Sequence, residues 1–195
     1  MRVYEVNTGG KPEGGKFPSY ASLGIKPGDV DFLFGGDAFC GKPFQRKWRP
    51  LEFYVYELNY PRADIWSMGA CAWVVNSRAM LLAGEAFEMA GELLPVSVDG
   101  ETQDFSLFNC THCPNVLDLS KSKWHFYGPE KEFKQLAKPS FIADRFGEVS
   151  LFKIMEHPVC MYCLERTGDP EDAEFKALVE QHALAGVEFK MVWEA

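Results

Sequence analysis

The sequence predicts an α+β fold, with a mostly antiparallel sheet, two main helices and a loop-rich N-terminal third. Three observations lead there. Two segments carry apolar residues at helical spacing with recognisable ends, several short segments alternate apolar and polar residues between turn signals, and the front of the chain is dense in glycine and proline.

From Asn7 to Pro50 there are nine Gly and five Pro, which excludes long regular elements. The same stretch carries Phe17, Tyr20, Leu23, Phe32, Phe34, Phe39, Phe44 and Trp48, more apolar surface than a solvated linker leaves in water, so residues 1–50 are expected to pack as loops on the core. Strands are expected at Phe53 to Leu58 and Cys71 to Val75, both rich in aromatic or β-branched residues. Ser77 is placed to cap a helix running to about Ala90, with Ala79, Leu82, Ala83, Ala86, Met89 and Ala90 on one face and Arg78, Glu85 and Glu88 opposite; Gly91 ends it. Leu94 to Val98 and Thr102 to Phe108 then read as two antiparallel strands around the Asp99-Gly100 turn. Near the C-terminus, Asp169-Pro170-Glu171-Asp172 is a helix start signal, Phe175, Leu178, Val179 and His182 form the apolar stripe up to about Ala185, and Gly186 is a stop. Val187, Phe189, Met191 and Trp193 alternate with polar neighbours as a final strand buried on one face.

With 195 residues and 47% hydrophobic content, the chain can bury a core as a single domain spanning 1–195. The 28 acidic residues against 20 basic ones give a formal net charge of -8, which disfavours nucleic acid and anionic membranes as partners and favours a basic protein. The N-terminal residues lack the apolar run of a signal peptide, and no long uncharged apolar stretch occurs. A cytoplasmic protein with reduced thiols is the expectation.

Two CxxC steps, Cys110/Cys113 and Cys160/Cys163, have the spacing within each pair that tetrahedral zinc requires, separated by 46 residues. The second pair lies in an apolar strand-like run, where the two thiols would face opposite ways, so no metal and no cofactor is assigned; a zinc-binding interaction module remains the alternative reading. The Gly10 to Lys16 stretch resembles a phosphate loop but has Phe17 where the magnesium-binding hydroxyl belongs. His112, His125, His157 and His182 are scattered. Cys110 or Cys113 with His125 or His157 would be the components of an unrecognised Cys/His enzyme, without any local motif to support it.

The segment Gly91 to Ser122, in which GELLP, a strand pair, a strand closing on Asn109, then Asn115-Val116-Leu117-Asp118 and Ser120-Lys121-Ser122 follow in order, resembles an immunity-protein family of bacterial polymorphic toxin systems, typified by a myxobacterial member. The likeness continues at Phe141 to Gly147, at Leu151 to Ile154 and from Glu174 to Trp193, covering about the C-terminal two-thirds of the chain. It implies a protein that binds and neutralises a cognate toxin, with no catalytic residues. The acidic group Asp169, Glu171, Asp172 and Glu174 is the candidate for part of the partner-binding surface.

Overall fold

The computed structural model describes residues 1–8, 20–34, 39–56, 60–68, 72–128, 133–166 and 174–195. Among them the elements run β1 (Arg2–Thr8), β2 (Leu23–Ile25), α1 (Val30–Phe34), β3 (Leu51–Val55), β4 (Ile65–Ser67), β5 (Trp73–Asn76) and α2 (Ser77–Ala90). There follow β6 (Gly91–Val98), β7 (Phe105–Cys110), β8 (Lys123–Tyr127), β9 (Phe133–Lys138), β10 (Leu151–Phe152), β11 (Met161–Glu165), α3 (Phe175–His182) and β12 (Val187–Glu194).

The strands form a six-stranded sheet in the order β2-β3-β6-β7-β5-β4, a four-stranded sheet in the order β10-β11-β1-β12, and the two-stranded β8-β9 ribbon. All described pairings are antiparallel except β3 with β6. The expected strand pair is present, with Leu94 opposite Leu107 and Val96 opposite Phe105. Its connection is wider than a two-residue hairpin: β7 starts at Phe105, Gly100 takes φ +78°, and the Asp99 amide is drawn to the Phe53 carbonyl at 2.8 Å. Gly91 opens β6 rather than merely closing the helix. A Cβ there would lie 2.0 Å from the Asn109 carbonyl oxygen, so only glycine lets β6 and β7 approach.

Helix α2 starts one residue earlier in its capping than the sequence suggests. Asn76, not Ser77, is the cap, its Oδ1 accepting from the Ala79 amide at 2.9 Å. The buried face is Ala79, Ala83, Ala86, Phe87 and Ala90, whereas Met89 is turned to solvent. The small alanines allow the helix to sit close to the strands, and Phe87 reaches through to Phe108 (4.9 Å between ring centres) and Phe175 (5.5 Å). Helix α3 is shorter than expected. It begins at Phe175, and Ala183 in the left-handed region (φ 48°) ends it, three residues before Gly186. The Asp169-Pro170 start signal lies outside the described residues.

Between the two sheets, α2 and α3 share one core in which Trp73, Phe108 and Ile65 of the six-stranded sheet meet Val6, Met161 and Cys163 of the four-stranded sheet. The opposite face of the six-stranded sheet is covered by described residues of the N-terminal segment: Leu33 and Phe39 are buried, and Phe32, Phe44 and Trp48 pack against them. Phe44 N donates to Glu92 Oε2 at 2.9 Å, Trp48 Nε1 to the Pro95 carbonyl at 3.0 Å, and the fully buried Lys153 reaches the Phe39 carbonyl at 2.5 Å. The final strand β12 is confirmed. A bulge opposite Val3/Tyr4 breaks its alternation, leaving Met191 exposed while Val192 and Trp193 both join the core on the other side of the four-stranded sheet.

One carboxylate ties these parts together. Asp64, just before β4, accepts Asn76 Nδ2 at 3.0 Å on Oδ1, and Arg78 Nη1 at 2.6 Å and the Ala185 amide at 2.9 Å on Oδ2. Its own amide and that of Ile65 donate to the Ala185 carbonyl at 3.0 Å. Removing this buried acceptor strands three donors, so Asp64→Ala should cost about 2–4 kcal/mol, while Arg78→Ala, at a more exposed partner, should cost about 1. Urea unfolding of the two variants checks this; equal losses would mean that the ion pair, not the hydrogen-bonded node, carries the stability.

Candidate functional site

Of the acidic group expected at the start of the last helix, only Glu174 is among the described residues. Asp169, Glu171 and Asp172 lie outside the described residues, and Glu174 is turned inward, only 6% exposed. Its carboxylate accepts the Arg166 amide at 3.0 Å and Arg166 Nη1 at 3.0 Å, which offsets the burial of its charge. Glu174 therefore closes a loop and is unavailable to a partner.

The four cysteines of the CxxC steps do not converge. Cys163 points into the core shared with α2 and α3, and Cys160 packs on the opposite side of the four-stranded sheet, following the period-two alternation. Cys110 is buried at the end of β7, and Cys113 Sγ contacts the Gly41 carbonyl at 3.7 Å. Among the described residues no three His, Cys, Asp or Glu side chains assemble in a way that would hold a metal ion. Burial pushes the Cys110 thiol up to about 12 and raises Cys163 further, so neither is a nucleophile at neutral pH.

Instead, the chemistry-bearing side chains collect in a cleft of about 580 Å³ between the β8-β9 ribbon and the outward face of the four-stranded sheet. Glu5 comes from β1, Tyr162 from β11, Lys190 from β12, His125 from β8, Lys138 from β9, and His157 and Cys160 from the loop before β11. The histidines of the Cys/His reading thus meet Cys160, not Cys110 or Cys113. Cys160 Sγ is 3.9 Å from Glu5 Oε1 and is hydrogen-bonded to Tyr162, whose phenol is raised well above its ordinary range by burial and then by the neighbouring Cys160 and Glu5. Burial lowers the His157 imidazole, against an opposing pull from Glu5, and its Nδ1 is buried without a hydrogen-bond partner. Glu5, Lys138, Tyr162 and Lys190 carry no local sequence signal. They meet only because β11, β1 and β12, far apart in the chain, lie side by side in one sheet and β9 of the separate ribbon faces them across the cleft.

A second feature is the outer face of α2. Leu81 is 84% exposed and Met89 47%, with Glu85 and Glu88 between them on the same side. Neither glutamate has an ion-pair partner among the described residues, and no basic residue lies in the last helical turn. Acids in the C-terminal half of a helix oppose its macrodipole, so the fold gains nothing from Glu88. The sequence placed Glu85 and Glu88 opposite the buried face. The apolar Leu81 on that polar face was the signal that went unused.

No protein-family model and no curated protein matches the chain. No helix among the described residues is long and apolar enough to cross a membrane.

Two measurements follow from the site. At pH 8, brief alkylation of the native protein should label Cys113 and Cys160, which are half-buried, and spare Cys110 and Cys163 until denaturant is added; mass spectrometry showing Cys163 labelled in the native state would contradict its burial. Burial also lowers both His112 and His157 from their ordinary 6.5, so the unfolded chain binds more protons just below that value. Stability is therefore complete above about 6.5 and should fall as pH drops below it. Replacing both histidines by Gln should flatten this limb in denaturant titrations, and an unchanged limb would refute the assignment.

Proposed function

We propose that the chain is a cytoplasmic immunity protein that binds a cognate bacterial toxin domain in a stoichiometric complex and neutralises it without catalysis. The sequence resemblance supports this reading, as does the formal net charge of -8, which suits a basic partner. The observation that carries it is the outer face of α2. Leu81 and Met89 offer apolar anchors, and Glu85 and Glu88 provide an acidic rim without ion-pair partners among the described residues, Glu88 in the last turn, where it opposes the helix dipole. A cost to folding that no internal partner offsets is the mark of a surface kept for binding.

In this mechanism the acids steer a basic toxin surface to the helix, and Leu81 is buried on contact. Enzymatic neutralisation is the weaker reading, because Cys110 and Cys163 are buried thiols and Cys160 faces a carboxylate.

The test separates fold from function. The double variant Glu85→Lys/Glu88→Lys should unfold at the same or a higher temperature, since lysine complements the helix C-terminus, yet should lose protection of cells that co-express the toxin and associate with it at least tenfold more slowly at low salt. Leu81→Asp should also lose protection, through a faster koff. Full protection by both variants would overturn the α2 surface. Cells that die equally with and without the wild-type protein, with no complex on a sizing column, would overturn the immunity reading itself.

A further inference from the structure

The cleft beneath the β8-β9 ribbon has features that neither folding nor a toxin-binding helix face explains. Its wall is mixed. Lys138 and Lys190 stand at its exposed rim, His125 adds an imidazole, and Leu136, Pro139 and Val192 line it with apolar surface. In a chain of net charge -8 a cleft that gathers cations is not a by-product of composition. Neither lysine forms an ion pair among the described residues; Lys190 stands opposite Glu5 of β1 in the strand register, and Lys138 belongs to the separate ribbon.

The single acid of the lining, Glu5, is already engaged. Its Oε1 lies 3.9 Å from Cys160 Sγ, which is in turn hydrogen-bonded to Tyr162, and Glu5 and Cys160 also line a smaller cavity of about 210 Å³. Two lysines against this one carboxylate leave the lining net positive. The exposed His125 ring, stacked 6.2 Å from that of Tyr127 on the ribbon, also lines the cleft. A volume of about 580 Å³ lies within the range of small-molecule sites and is far too small for a folded partner or a nucleic-acid strand.

We propose that this cleft binds a small organic anion, its charged oxygens between Lys138 and Lys190 and its apolar body against Leu136, Pro139 and Val192. The shared chemistry is an anionic headgroup on a short hydrocarbon or aromatic body, whether carboxylate or phosphate monoester. The site is independent of the immunity reading and stands or falls separately.

Amide-detected NMR titration of the full chain with hexanoate, benzoate, hexyl phosphate, inorganic phosphate and hexanol tests it. At least one of the three organic anions should shift the amides of residues 135–138 and 190–192 saturably, and the response of benzoate and hexanoate against hexyl phosphate identifies the headgroup. Lys190→Met and Lys138→Met should each weaken that binding about tenfold without changing the melting temperature. Leu136→Ala, which shortens the apolar wall, should weaken the organic anions while leaving inorganic phosphate unaffected; because Leu136 is buried, Val192→Ala provides the same test at a less buried position. Hexanol binding as well as the anions, inorganic phosphate binding as tightly as the best organic anion, an absence of cleft shifts with all three organic anions, or undiminished binding in both lysine variants would each overturn the proposal.

Discussion

The carboxylate of Asp64 is the constraint on which the arrangement of helices and sheets depends. It stands between β4, the cap of α2 and the turn after α3, and takes a donor from each of the last two: Asn76 and Arg78 from the α2 start, the Ala185 amide from the α3 end. Arg78 extends the tie by donating from Nη2 to the His182 carbonyl at 2.6 Å, satisfying one of the last carbonyls of α3. Asn76 does two jobs at once, donating to Asp64 and capping α2. The turn has no freedom of its own. Gly186 takes φ +105°, and a Cβ there would lie 2.0 Å from the Ile65 carbonyl oxygen, so the chain after α3 is pressed directly on β4. Aromatic rings then fill the joint, with Phe175 stacked on Trp73 at 5.8 Å and reaching Phe189 at 6.1 Å.

What the sequence revealed follows from the range of the forces involved. Helix α2, the β6-β7 pair and the strand β12 were legible because caps, turn residues and apolar period are local properties. The cap itself was misplaced by one residue, since Asn76 and Ser77 are both good caps and only the contact with Asp64 decides between them. The largest omission was β1. Arg2–Thr8 looks unremarkable as a sequence, yet it is an inner strand of the four-stranded sheet, paired with β11 on one side and β12 on the other. Nothing within seven residues announces partners more than 150 positions away, and the same non-local pairing hid the cleft, which draws on β1, β11 and β12 together.

The place of Glu174 was hidden from the sequence for a related reason. Glu174 looked like a helix-dipole residue on an exposed first turn, but the helix starts at Phe175, and the residue that satisfies the Phe175 amide is Ser150, whose hydroxyl accepts it at 3.0 Å. With the cap supplied from another segment, the glutamate is free to bend back onto Arg166, and a local propensity loses to a tertiary contact. Further along, Lys176 joins Glu165 at 3.0 Å and Glu180 at 2.8 Å, and Glu165 accepts the Tyr4 hydroxyl at 2.8 Å. Burial alone would raise Glu165, but the hydrogen bonds from Lys176 and Tyr4 outweigh it and hold the carboxyl below its ordinary range. Much of the acid on this side of the molecule is thus consumed by the fold, in contrast to Glu85 and Glu88 on α2.

That contrast bears on how the two proposed binding surfaces are arranged in a small chain. The four-stranded sheet separates them through its period of two: Val6, Met161 and Cys163 face the core under α2 and α3, while Glu5, Tyr162 and Lys190 face the cleft on the other side. The outer face of α2 and the cleft therefore do not share a layer of side chains, and a partner held by Leu81 and Glu85 would leave the mouth beneath the ribbon open. Coupling between them would have to pass through the sheet itself, along β1 and β11, where Val6 and Met161 on the core side alternate with Glu5 and Tyr162 on the cleft side. A packed sheet of this kind resists small displacements. Independent operation of the two surfaces is what the alternation favours, with the cleft and the helix face each answering to its own charge: one positive within an acidic chain, the other negative where the helix dipole asks for the opposite.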